Sequence, residues 1–185
     1  MTSLYEQKAY KRIAAFFNEP DYYHSCAFGL PYYLRRNPMK AWCGYVGVPS
    51  THPHYGLSYT DRVMYEAKDQ ITVGQKSPVN ILVAAFTADS KTVSLDVLYD
   101  CPGGLTWADN RAALERPDGY WYFGFDCSHY NDYSPKDAMS DLIDPAYWKD
   151  DRVYRTFAYA NAGAVHLANQ LSDFSSAYPE ILNKE

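Results

Sequence analysis

With 185 residues, 47% hydrophobic and 21% charged, the chain suits one folded domain with a sizeable core, which excludes global disorder. Net charge is −5 and no basic run exceeds the Arg35–Arg36 pair, which argues against general nucleic-acid binding, where clustered cations must displace counterions from phosphates. The longest apolar run, Val79–Phe86, is broken by Asn80 and too short to cross a bilayer, so no membrane partner is expected.

The first predicted element is a helix from about Ser3 to Asn18. Ser3 and Glu6 have capping-box spacing, and Tyr5, Ala9, Ile13, Phe16 and Phe17 share one face opposite Lys8, Lys11 and Arg12. Pro20 marks its stop. Residues 21–40 carry Gly29, Pro31 and Pro38 and read mostly as loop. A strand is expected over Trp42–Val48, followed by a loop at 49–59. Val79–Phe86 and Thr92–Asp100 read as a hairpin, the second strand alternating Val93, Leu95, Val97 and Tyr99 with polar neighbours. Another strand at Trp121–Cys127 places Trp121, Phe123, Phe125 and Cys127 on one side, with Tyr122, Gly124 and Asp126 on the other. Helices follow at Pro135–Ile143 and from about Arg155 to Phe174, with His166 at the edge of the apolar face. The order of elements predicts one α+β domain over 1–185: a central, mainly antiparallel sheet with an N-terminal helix and C-terminal helices packed on it.

Four cysteines (Cys26, Cys43, Cys101, Cys127) form no CxxC pair, and MTSLYEQKAYKR lacks the apolar core of a secretory signal. Reduced thiols and a cytoplasmic location are therefore expected. Aromatic residues make up 17%, with 19 Tyr and 4 Trp, a supply of flat apolar faces with polar tips that suits either a ligand pocket or a wet core.

Two strings carry the candidate chemistry. In Asp100-Cys-Pro-Gly-Gly-Leu-Thr106, consecutive glycines after a strand permit positive φ and close backbone approach. The exposed amides of Gly103 and Gly104, with the Thr106 hydroxyl and neighbouring Trp107, offer an anion-binding concavity, or else a plain tight turn. It is not a P-loop, because no Lys-Ser/Thr follows. In Asp126-Cys-Ser-His129, at the end of an aromatic strand, Asp126 and His129 are candidates for ligand contact or acid–base catalysis. The carboxylate could fix the imidazole tautomer; alternatively Asp126 caps its own turn. A zinc set of His52, His54, Asp126 and His129 is a weaker alternative, since Pro53 separates the two histidines and no HExxH is present, so neither a metal nor another cofactor is expected. Cys127 falls on the apolar face of its strand, where thiols are inert.

The strings GGLTW (103–107), WYFGFDCSH (121–129), WCGYVGVP (42–49) and HPHYG (52–56) resemble a family encoded by tailed phages and prophages, whose members carry strings such as HGGLTYSG and WWFGFDCAHAGD before a long C-terminal helix. The resemblance covers roughly residues 42–175. Gly103, Gly104, Thr106, Asp126, Cys127, His129 and Asp132 fall on the pattern, whereas Pro102 stands where relatives have His. The resemblance implies origin in a phage and the cytoplasm of its host rather than a mechanism.

The functional expectation is a small-molecule-binding protein, an anti-defence sponge for a nucleotide-derived immune signal, using aromatic stacking and a glycine-turn anion cradle. The alternatives are a hydrolase, metal-assisted or not, acting on a nucleotide-like substrate through Asp126 or His129, and an inhibitor that docks a tyrosine-rich patch on a host enzyme.

Overall fold

The computed structural model describes residues 4–64, 92–110, 119–137 and 152–177. Helix α1 (Leu4–Asn18) leads into strands β1 (Tyr22–Ala27), β2 (Leu30–Arg36) and β3 (Trp42–Pro49). Then come β4 (Arg62–Met64), β5 (Thr92–Ser94), a single helical turn α2 (Leu95–Leu98), β6 (Trp107–Asp109), β7 (Tyr120–Asp126), a 3-10 turn at Pro135–Asp137 and the long helix α3 (Phe157–Ala177). Five strands form one antiparallel sheet in the order β1-β2-β3-β7-β6, and β4 pairs with β5. The fold is thus α+β, with the N-terminal and C-terminal helices on an antiparallel sheet, as the order of elements predicts.

Residues 21–40 are not a loop but a hairpin. Phe28 and Gly29 both have positive φ, 53° and 78°, the conformation of a two-residue hairpin turn whose twist matches the flanking strands. Pro31 is tolerated because β2 pairs with β3 only from Tyr32 onward, so no partner on that side needs its missing N–H. Alternation does the rest: Leu30, Tyr32 and Leu34 enter the main core, while Tyr33 faces the other way.

Those two faces differ in chemistry. The face beneath α3 packs Trp42, Val46, Val48, Phe123 and Phe125 against Ala160, Ala164, Leu167, Ala168 and Leu171, and all five helix residues are fully buried. Alanines at three of those positions let the helix axis approach the strands closely. A side chain at Gly44 would overlap the Phe125 ring, so glycine there opens room for an aromatic from the neighbouring strand. The opposite face is a tyrosine surface. Tyr33 stacks on its register partner Tyr45, ring centroids 4.5 Å apart and nearly parallel, and Trp107 meets Tyr45 edge-on at 5.2 Å.

Three other expectations change. Thr92–Asp100 is not one strand: Leu95 and Tyr99, four apart and buried, fit a helical turn whose first amides reach Asp61 and Tyr59 carbonyls. The buried stripe of α1 narrows to Ala9 and Ile13, with Tyr5 and Phe17 exposed. The helix expected at Pro135–Ile143 is described only over its first three residues, as a 3-10 turn. The expected strand Val79–Phe86 and the Ser3 cap lie outside the described residues.

Candidate functional site

Cys101–Gly104 is a tight turn. The Gly104 amide donates to the Cys101 carbonyl at 2.9 Å, Pro102 holds the second position and Gly103, at φ 72°, the third. That is the pattern of a type II turn, and it explains Pro102: proline presets the backbone there. Its ring also fills the space over Gly163 of α3. Of the two amides in the cradle reading, that of Gly104 serves the turn and is not open to an anion; the Thr106 amide serves the Gly124 carbonyl. What the glycines provide is close approach. A side chain at Gly103 would collide with the Cε1–Nε2 edge of the His129 imidazole.

The Asp126–His129 pairing does not form. Asp126 Oδ1 accepts the Ser128 amide at 2.9 Å, an Asx turn of its own, and Oδ2 accepts the Thr106 hydroxyl at 3.4 Å. His129 pairs instead with Asp132, three residues on. Its backbone amide and its Nδ1 both lie against Asp132 Oδ2, at 3.1 and 3.3 Å. A carboxylate facing Nδ1 places the ring proton there and leaves Nε2 as the acceptor. The other oxygen, Oδ1, accepts Arg155 Nε at 2.6 Å. Burial pushes the Asp132 carboxyl up, but bonds from Arg155 and the His129 amide outweigh it and hold the pKa below the ordinary value.

The backbone explains how Arg155 arrives. Val153 donates to the Asn131 carbonyl and Tyr133 donates to the Val153 carbonyl, both at 2.9 Å, so the segment entering α3 is stitched alongside the loop that carries His129 and Asp132. Arg155 then lies over the Tyr159 ring at 4.7 Å. Beside this cluster an open cleft of about 810 Å³ is lined by Ser128, His129, Tyr130, Asn131, Asp132, Ser134, Arg152 and Val153. Tyr130 is almost wholly exposed, at 94%.

The sequence-predicted residues therefore separate into two groups at one edge of the sheet. Gly103 and His129 meet on the α3 side, where Cys101, Leu105 and Cys127 join the main core. Asp126, registered against Cys43, and Trp107, packed on Tyr45, belong to the tyrosine face, with Thr106 bonded to Asp126 between them. Gly104, at φ 85°, has open space around it apart from the Asp96 carbonyl. Sequence reasoning missed Arg155 and Tyr159, and gave Asp132 no role of its own. The one readable signal was the i,i+3 spacing of His129 and Asp132. Cys127 is buried and its thiol is pushed up to about 12, chiefly by burial, so it is no nucleophile.

His52 and His54 are elsewhere and serve packing. His52 Nε2 reaches the Leu171 carbonyl at 3.0 Å and its Nδ1 accepts the His54 amide at 3.1 Å. His54 Nδ1 bonds the Tyr99 hydroxyl at 2.7 Å. Burial, with His52 as a lesser cause, lowers the His54 pKa to about 3, so the ring is neutral. The set His52, His54, Asp126 and His129 is not assembled: among the described residues, no three His, Cys, Asp or Glu side chains are grouped to hold a metal ion. Among them, too, no helix is long and apolar enough to cross a membrane. No protein-family model, curated protein or solved structure matches the chain.

Proposed function

We propose that this chain binds a small, nucleotide-like molecule in the cleft beside His129. The observation that carries the reading is the meeting of three segments around one imidazole: the loop that carries it and Asp132, the 101–104 turn and the entry to α3. The 101–104 turn packs against its edge, Asp132 fixes its orientation, and Arg155 fixes Asp132. An exposed Tyr130 ring on the same cleft offers a stacking platform for a base. One stack at about 1–3 kcal/mol and two charge-assisted hydrogen bonds at about 1.5–3 kcal/mol each sum to about 4–9 kcal/mol, which spans millimolar to micromolar dissociation constants. On the phage resemblance, the ligand would be a nucleotide-derived immune signal of the host, held intact.

Native mass spectrometry after incubation with extract from phage-challenged cells tests this reading. A mass adduct that heat releases unaltered is the expected result, and His129→Gln should weaken it by about 1.5–3 kcal/mol with little change in melting temperature. No adduct, or an adduct indifferent to His129→Gln, sinks it.

A second reading has one observation in its favour. With the ring proton held on Nδ1 by Asp132, His129 Nε2 is an oriented acceptor, the arrangement of a general base. Release of a cleaved product rather than the intact ligand in the same experiment would move the function to a hydrolase.

A further inference from the structure

Arg155 shows an incomplete set of partners that its neighbours have prepared. A guanidinium carries five N–H donors in a rigid plane. One, on Nε, is engaged by Asp132 Oδ1 at 2.6 Å. Its Cζ also lies over the Tyr159 ring, 4.7 Å from the centroid. Anchored at Nε and stacked on a ring, the group has lost most of its freedom. Its two Nη groups, with four N–H donors, have no partner among the described residues, and the side chain is 32% exposed.

Arg36 shows what an arginine of purely structural purpose looks like in the same molecule. Its Nη1 donates to the Lys40 carbonyl and the Tyr154 hydroxyl, its Nη2 to Glu19 and the Phe16 carbonyl, and the side chain is 3% exposed. Every Nη group there is used.

We propose that Arg155 is the anion-recognition residue beside the cleft, which it borders through the lining residue Asp132, its Nη1–Nη2 edge taking two oxygens of a phosphate or carboxylate on the ligand, with Asp132 and Tyr159 as positioning residues. Two parallel N–H donors match two oxygens of such a group, which a lysine ammonium cannot reproduce. Asp132 already balances the arginine's charge, so the fork works through geometry rather than net attraction. A bare ion therefore binds weakly, and the rest of the ligand supplies the remainder. The inference deepens the ligand-binding reading and rests on it for the neighbouring cleft alone.

Arginine-selective 15N NMR and calorimetry separate the two ideas, with 5′-AMP, adenosine-5′-carboxylate, adenosine and orthophosphate as probes. The expected result is that AMP, the carboxylate or both bind about tenfold or more tighter than adenosine. Orthophosphate alone, at high concentration, should shift the Arg155 Nη signals. Arg155→Lys should bring the anionic nucleosides down to adenosine's affinity at an unchanged melting temperature. The arm that gains affinity tells phosphate from carboxylate. Equal binding of all three nucleosides, or discrimination that survives Arg155→Lys, overturns the fork and leaves nucleoside binding standing. Arg155 signals that move with orthophosphate while no nucleoside binds uphold the fork and overturn the nucleotide reading. Signals that no anion moves overturn the fork whether or not the lysine variant folds.

Discussion

At the head of α3 two carboxylates each hold an arginine, and the two pairs are built differently. Glu19 closes a sealed network: it accepts from Arg36, the Trp42 indole at 3.0 Å and the Tyr154 hydroxyl through one oxygen, and from the first amide of α3, Phe157, at 2.7 Å through the other. Arg36 is further enclosed between the Phe16 and Trp42 rings, at 4.5 and 4.4 Å. Asp132 is also buried, yet its arginine is about one-third exposed. The sealed pair joins the end of α1, two strands and the start of α3, so its work is assembly. The open pair joins one loop to one helix entry and leaves Nη donors without a partner among the described residues. Ion pairing alone does not mark a site; the proposal for Arg155 rests on the donors that its pair leaves over.

The contrast can be broken at its strong end. Glu19→Ala would strand a buried guanidinium, an indole N–H, a hydroxyl and a helix amide together. Removing one member of a buried pair costs about 3–5 kcal/mol, and that loss is expected in urea or guanidinium unfolding. A loss under about 1 kcal/mol would show that solvent reaches the network and that the two pairs differ only in degree.

Acid sharpens the comparison from another side, because the buried histidines under α3 must stay neutral. His54, with its pKa lowered to about 3, takes up no proton in the folded state near pH 6, whereas the unfolded chain does so below about 6.5; burial lowers His52 in the same direction. The unfolded state binds more protons there, so stability falls as pH drops from about 6.5 toward 3. The slope is about 1.4 kcal/mol per pH unit for His54, with His52 adding to it in the same direction, and it is absent above pH 7. Denaturation midpoints measured from pH 7.5 to 5 check this. A flat profile would mean that His54 is not held neutral by its burial.

Much of the fold could be read in the chain because burial follows period. The α3 face of β7 and the stripe Ala160, Ala164, Leu167, Ala168 and Leu171 are where alternation and helical spacing place them. The β1–β2 hairpin was hidden by Gly29 and Pro31, which read as breakers although one makes the turn and the other sits beyond the last rung with β3. Thr92–Asp100 misled because Leu95 and Tyr99, four apart, satisfy both periods, and contacts to Tyr59 and Asp61 decide between them. At the site, the 101–104 turn meets His129 because it leads into β6, which begins beside the end of β7, and not because it closes a strand of that sheet. Arg155 is different. It reaches Asp132 through a bridge between Asp132 and Val153, a long-range pairing with no local signature.

The smallest expected effect is the one that locates the site on a single side of the sheet. Asp126 Oδ1 holds the Ser128 amide, and Asn at this position keeps an oxygen for it. The longer bond from Thr106 to Oδ2 survives with donor and acceptor exchanged, since a hydroxyl can accept from the amide NH2. Asp126→Asn therefore loses only the charge assistance, about 0.5–1 kcal/mol, which in a chain of this size lowers the melting temperature by about 1–4 °C. Asp126 lies with Cys43 on the tyrosine face, away from the imidazole and Arg155, so affinity for the cleft ligand should stay within about twofold, against the much larger loss in His129→Gln. Calorimetry and thermal melts on the two variants side by side decide it. Suppose Asp126→Asn lost tenfold in affinity at an unchanged melting temperature. The ligand would then reach around the sheet edge past Thr106 to Trp107, and the tyrosine face would be part of the site.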